Sequence, residues 1–212
     1  MANATIESTH PGPARAGRRR AGEVLEALIA AGVSQARYGG VDAVVLREAT
    51  RAVGVTPTAA YRHFSNRDDL LAAVASEAMR LLAIRMQEEL EQVHGRKRTL
   101  RWARARLRAV GHAYLGFAID EPGLFQAAFS GARGPHASRP STETRSPLQI
   151  LDEVLDDLVT VGALPRARRA PATLLAWSSV HGLATLRLSG AVIDTNPHTL
   201  DDALDRFIQR GL

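Results

Sequence analysis

Apolar side chains recur at three- and four-residue intervals along most of this chain, and no segment shows the sustained apolar and polar alternation of a half-buried strand. The pattern predicts an all-helical protein. A first helix is expected over about Arg19 to Arg37, where Leu25, Leu28, Ile29, Gly32 and Ala36 share a face and Gly39-Gly40 closes the segment. Two short helical runs follow between Val44 and Phe64. A longer helix, with Leu70, Leu71, Val74, Ala78, Leu81 and Leu82 on one face, runs to about Val93 and breaks at His94-Gly95-Arg96. Another, about Thr99 to Ile119, aligns Leu100, Ala103, Leu107, Val110, Tyr114 and Phe117, and puts Arg101, Arg104 and Arg108 on a second stripe read as a solvated face. Asp120-Glu121-Pro122 starts a short helix through Phe129, after which Gly131 to Ser146 is rich in Gly, Pro, Ser and Thr and reads as a mobile loop. The remaining helices are expected over about Pro147 to Gly162, Arg169 to Val192, and around Leu200, Leu204, Phe207 and Ile208.

The two short runs carry the most specific chemistry. The first, Val45 to Val53, ends at Gly54, and Thr56-Pro57-Thr58 then supplies an N-cap hydroxyl and a proline whose missing N–H costs nothing at the first helical position. The second carries Ala59, Ala60, Tyr61, Arg62 and His63 and stops at Phe64; Ser65 or Asn66 with Asp68 or Asp69 resembles a capping box for the next helix. Two short helices around a glycine turn make a helix-turn-helix, whose second helix can present its first turn to base edges in a major groove while its neighbours hold phosphates. Thr56 and Thr58 offer hydroxyls, Ala59 and Ala60 permit close approach, and Tyr61, Arg62 and His63 are phosphate donors. Arg67 adds charge at the start of the following helix. Leu46, Val55, Phe64 and Leu70 are read as the small core of this unit.

Charge fits such a partner without proving it. The net charge is +5, and Lys97 is the single lysine among 27 basic residues. An arginine excess favours an anionic partner and equally follows from a GC-rich genome. There is no cysteine, so disulfides and thiolate metal sites are excluded, and no apolar run approaches a membrane span. The N-terminus has charge and proline where a signal peptide is apolar, so a soluble, cytoplasmic, nucleoid-associated protein is expected.

Leu46-Arg47-Glu48-Ala49, Gly54-Val55-Thr56-Pro57, Ala60-Tyr61-Arg62-His63-Phe64 and Arg67-Asp68-Asp69-Leu70-Leu71 together resemble the DNA-binding region of TetR/AcrR transcriptional regulators. The resemblance covers about residues 18 to 75. It implies that Tyr61 and His63 touch phosphate, that the threonines at the start of the third helix lie near base edges, and that Arg67 stands where a lysine usually meets phosphate. Val45 departs from the Ser or Thr that often begins the second helix, and Thr50 from its usual alanine. The expected DNA-binding residues are Arg18, Arg19, Arg20, Arg47, Thr56, Pro57, Thr58, Ala59, Tyr61, Arg62, His63 and Arg67. For Arg18 to Arg20 two readings stay open, a basic arm on DNA and a solubilising terminus.

Glu121-Pro122-Gly123-Leu124-Phe125 and Trp177-Ser178-Ser179-Val180-His181-Gly182-Leu183-Ala184 resemble the regulatory domain of a TetR subgroup with a Trp…His-Gly signature. This implies ligand binding and dimerisation. Tyr114, Phe117, Phe125, Phe129, Trp177 and His181 are the candidate lining of an apolar pocket between helices, with plain core packing the alternative for each. Ser178, Gly182, Thr185 and Ser189 form a small-residue stripe suited to a dimer interface or to an internal helix contact. The expected organisation is a disordered basic tail over 1–17, a helix-turn-helix domain over 18–66 and a helical ligand-binding and dimerisation domain over 67–212. The expected function is a dimeric repressor released from operator DNA by a small-molecule effector, with no cofactor and no metal. A helical adaptor and an uncharacterised helical enzyme are the rivals. His63, His112 and His181 lack the spacing of a metal or acid-base motif, and no phosphate loop or nucleophile elbow occurs, so an enzyme is not expected.

Overall fold

The computed structural model describes residues 21–131 and 145–192, which hold eight α-helices, two single 3-10 turns and no strand. The expectations for Arg18 to Arg20, for most of the Gly131 to Ser146 loop and for a helix around Leu200 lie outside the described residues. The helices are α1 (Ala21–Gly39), α2 (Leu46–Val53), α3 (Pro57–Tyr61), α4 (Arg67–Glu91), α5 (Leu100–Asp120), α6 (Pro122–Ala128), α7 (Pro147–Thr160) and α8 (Arg169–Leu188).

Most of these ends are written in local chemistry. Gly54 closes α2 in the left-handed region, at φ 72° and ψ 32°, and its N–H reaches the carbonyls of Thr50 and Arg51. Thr56 and Thr99 cap α3 and α5 through side-chain oxygens that accept from Ala59 N–H and Trp102 N–H. At α4 the cap is Asn66 and not Ser65. Asn66 accepts from Asp69 N–H at 2.9 Å, while Asp69 accepts from Ser65 N–H at 2.9 Å. Ser146 and Gln149 form a reciprocal capping box on α7. Helix α8 stops at Leu188, short of Val192, because Gly190 turns left-handed and its N–H bonds back to Arg187.

One continuous apolar core joins these elements, from Val24 and Leu28 on α1 to Leu155 and Leu158 on α7. Helix α4 runs through both ends of it. Leu70 and Val74 lie against Gly32 of α1, whereas Met86 shares a cavity wall with Leu107 and Tyr114 of α5. The sequence-derived core of the N-terminal unit is present: Leu46, Phe64 and Leu70 are buried and Val55 is half-buried. Burial of a phenylalanine like Phe64 is worth about 1.5–3 kcal/mol, which holds the end of α3 against this core. The expected arginine stripe on α5 is solvated only at Arg101, since Arg104 and Arg108 are half-buried.

Candidate nucleic-acid interface and ligand site

Helices α2 and α3 form the expected helix-turn-helix, and its exposed surface is built from Arg47 of α2, the first turn of α3 and the residues at the end of α3. Arg47, Thr56, Pro57, Thr58, Tyr61 and Arg62 are exposed, Ala59 and His63 are half-buried, and Ala60 is buried as the foot of the helix. Tyr61 remains 59% exposed, far more than packing requires, so its ring and hydroxyl are available to a partner.

The departures noted in the sequence are accommodated by residues that periodicity could not find. Val45 begins α2 without a side-chain cap, and Gln35 of α1 supplies the missing polarity. Its amide accepts from Val45 N–H at 3.1 Å and donates to Val45 carbonyl at 3.3 Å. Thr50 is buried and donates its hydroxyl to the Leu46 carbonyl at 2.7 Å, so the extra oxygen is satisfied within the helix. Arg67 Nε donates to the Val44 carbonyl at 2.9 Å and an Nη donates to the Val41 carbonyl at 2.7 Å, with Asp42 and Asp68 at 3.9 and 3.7 Å. Its guanidinium therefore fastens the loop before α2 to the start of α4. Those carbonyls lie 23 and 26 residues away in sequence, which is why only the fold reveals them.

Between α5, α6 and α8, five of the six candidate pocket residues meet. Tyr114 is 1% exposed, with its ring edge-on to Phe125 at 5.6 Å and to Trp177 at 5.5 Å. Its hydroxyl lies 2.8 Å from His181 Nδ1, and burial pushes its pKa above the ordinary phenol value. His181 in turn stacks on Phe125 at 5.4 Å and meets Phe129 at 4.5 Å. Phe117, the sixth, is buried in the core and borders neither of the two spaces beside this cluster.

One of those spaces is a cavity of about 20 Å³ bordered by Met86, Leu107, Tyr114, Leu151 and Trp177, room for little more than a water. The other is an open groove of about 350 Å³. Phe125, Gln126 and Phe129 form one wall, and His181, Thr185, Leu188 and Ser189 of α8 and its cap form the other. Helix α8 is held to α7 by Arg169, which bonds Asp152 at 2.8 Å and Asp156 at 2.6 Å, and by Thr173, whose hydroxyl donates to Asp152 at 2.5 Å. Desolvation works to raise the Asp152 pKa, and the bonds from Thr173 and Arg169 overcome it, leaving the carboxyl below its ordinary value.

The groove and the helix-turn-helix unit are joined by α6. Gly123 sits so close to the end of α1 that a Cβ there would lie 2.0 Å from the Ala36 carbonyl oxygen. Beside it, Arg37 Nε donates to Glu121 at 2.8 Å. The helix that carries Phe125 thus begins directly on the backbone of α1, with no side chain between.

Comparison with known proteins agrees with this arrangement. Residues 28–74 match the family model of bacterial regulatory proteins of the tetR family, and residues 107–210 match the tetracyclin repressor-like C-terminal domain. No curated protein matches the chain. Among solved structures, a protein of unknown function from Rhodococcus sp. RHA1 is similar at a TM-score of 0.71 and 25% identity, covering 94% of this chain and 98% of that one. A bacterial regulatory protein of the tetR family from Rhodococcus RHA1 is similar in fold, at a TM-score of 0.55 and 16% identity, covering 89% of this chain and 94% of that one. With both family domains present around a helix-turn-helix whose recognition surface is exposed, this chain belongs to the TetR family of DNA-binding transcriptional regulators, and is a regulatory protein rather than an enzyme.

Proposed function

We propose that the protein is a homodimeric repressor whose operator binding is relieved by a small molecule in the groove over His181. The observation that carries this reading is the position of α6, which offers Phe125 and Phe129 to the groove and Gly123 to the backbone of α1. A ligand that spreads the groove displaces α6, and α6 has no slack against α1 in which to absorb the shift. Only a difference in ligand affinity between the operator-bound and free geometries can drive release, so effector and operator weaken each other by the same factor.

On this reading the helix-turn-helix unit spans 18–66 and the regulatory unit 67–212. Thr56, Thr58 and Ala59 meet base edges, while Arg47, Tyr61, Arg62, His63 and Arg67 hold phosphates, with Pro57 setting the start of the recognition helix and Arg18 to Arg20 serving as a basic arm. Dimerisation follows from the outer face of α8. Leu174 is 70% exposed and Leu175 and Leu186 are 43% and 47% exposed, with Ser178 and Ser179 between them. Exposed leucines beside small residues suit close packing of a second copy, and a two-fold dimer sets two recognition helices against successive major grooves.

The test is fluorescence-anisotropy titration of the purified protein on its own upstream intergenic DNA and on a scrambled duplex, at several salt concentrations. Salt-sensitive binding that prefers the native fragment supports an operator-binding regulator. Equal, weak binding to both, with no preferred site in a genome-wide selection, overturns the reading.

A further inference from the structure

We infer that the groove over His181 selects an uncharged, planar aromatic molecule carrying both a hydrogen-bond acceptor and a donor. This rests on the reading that the groove is the effector site, and it specifies the chemistry of the occupant.

On the α8 wall the polarity of each group is set by bonds it already makes. The buried Tyr114 hydroxyl has His181 Nδ1 as its partner at 2.8 Å. If Nδ1 were the donor, the phenol proton would be left without an acceptor in a site otherwise walled by aromatic rings, a costly arrangement for a buried hydroxyl. The phenol therefore donates, Nδ1 accepts, and the neutral imidazole carries its proton on Nε2. Burial keeps the phenol protonated, in agreement with that assignment. His181 lines the groove, so Nε2–H is the donor it has left to offer there.

On the same wall the hydroxyls have the opposite character. Thr185 Oγ1 donates to the His181 carbonyl at 2.9 Å, and Ser189 Oγ donates to the Leu186 carbonyl at 3.0 Å. With their protons committed, both oxygens are left as acceptors on residues that line the groove. A molecule that satisfies this wall accepts from His181 and donates to Thr185 or Ser189.

Charge is disfavoured in either sign. Among the described residues no Lys, Arg, Asp or Glu borders the groove, so a carboxylate or ammonium held against these rings would lack a counter-charge. Nor do the rings form an open cage for a cation. Phe125 and His181 stack at an interplanar angle of 27°, and Phe129 packs on both at 5.0 and 4.5 Å, so the ring faces are largely taken by one another. What remains is an open groove flanked by ring edges and by polar groups of α8, large enough at about 350 Å³ for a fused two-ring molecule.

The experiment holds the aromatic body constant and varies its polar group. Equilibrium dialysis of the full-length protein is run against 2-naphthamide, 2-methylnaphthalene, 2-naphthoate and 2-naphthylmethylammonium. The amide is expected to bind roughly tenfold more tightly than each of the others, the size of effect one satisfied hydrogen bond or one uncompensated charge produces. In Tyr114→Phe/His181→Phe, which keeps both rings, leaves no buried hydroxyl unpaired and removes Nε2–H, the amide is expected to bind several-fold more weakly than to the wild type, whereas 2-methylnaphthalene stays within about twofold.

Tightest binding by the carboxylate or the ammonium, or an amide affinity unchanged in Tyr114→Phe/His181→Phe, overturns the inference. Operator anisotropy on the same samples separates the two levels of argument. A protein that prefers its operator yet binds none of the four probes has lost this inference and kept the regulator, whereas loss of operator preference counts against the underlying reading.

Discussion

Gly123 and Ala36 are in backbone-to-backbone contact, so near that any β-carbon on Gly123 would sit 2.0 Å from the Ala36 carbonyl oxygen and 3.3 Å from that of Arg37. Contact at this range leaves α6 and the end of α1 no compliant side chain between them. Interfaces packed in this way pass on displacement rather than absorb it, because well-packed interiors compress little. The neighbouring Arg37 to Glu121 ion pair adds orientation more than energy, since the Arg37 side chain is 40% exposed.

Gly123→Ala is therefore expected to force α6 off α1. Urea unfolding should show a loss of about 1–3 kcal/mol, the usual cost of overpacking a well-packed contact. Glu121→Gln, which removes only the ion pair, should cost less than about 1 kcal/mol. Equal effects of the two would show that the backbone contact is not the critical one.

Arg62 and Arg67 are both arginines of the recognition region, and they are expected to fail differently. Arg62 is exposed, so Arg62→Ala should leave the melting temperature in place while lowering the salt slope of operator binding by about one unit. Arg67→Ala removes a charged donor from the Val41 and Val44 carbonyls and should cost about 1.5–3 kcal/mol in unfolding free energy before any effect on DNA is read. Arg67→Lys can reach at most part of that pair and should recover stability only partly.

Asp152 gives the α7 to α8 contact a pH dependence. Its pKa is lowered in the folded chain, so the folded state binds that proton less tightly than the unfolded state. The stabilisation is complete above the ordinary carboxylate value, near pH 4, and is lost as pH falls through the lowered folded value. Because the Asp152 side chain is 41% exposed, the contribution is at most about 1 kcal/mol. Asp152→Asn should thus melt below the wild type at neutral pH, and the gap should narrow as melting curves are recorded toward about pH 3.

Leu174 and Leu175 test the assembly. Leu174→Glu with Leu175→Glu places charge on the exposed face of α8 without touching the core, so circular dichroism should be unchanged. Sedimentation velocity should show the wild type as a dimer and the variant as a monomer, with operator affinity falling with it. A variant that remains dimeric would move the interface elsewhere.

Much of this protein was legible from spacing alone. Apolar periodicity located the helices, and Thr56 and the pair Ser65 or Asn66 marked two of their beginnings because a cap is satisfied within three residues of its own position, whereas the caps Thr99 and Ser146 were not singled out. Gly54 marked the turn between α2 and α3 because φ there is positive. The gathering of Tyr114, Phe125, Phe129, Trp177 and His181 was anticipated, whereas Phe117 shares the α5 stripe with Tyr114 and yet falls in the core. Periodicity assigns a residue to a face of its own helix and says nothing of whether a core or a groove lies opposite.

The sequence by itself determined the helices among the described residues to within a few positions, the helix-turn-helix and the family resemblance, all of which depend on residues within a few positions of one another. The tertiary structure alone decided three things. Gln35 caps α2 from α1, Arg67 fastens the loop before α2, and Gly123 seats α6 on the Ala36 carbonyl. Each pairs a side chain or a missing side chain with backbone polar groups distant in sequence, and every residue carries the same backbone groups, so nothing in the one-dimensional pattern distinguishes which of them will be met.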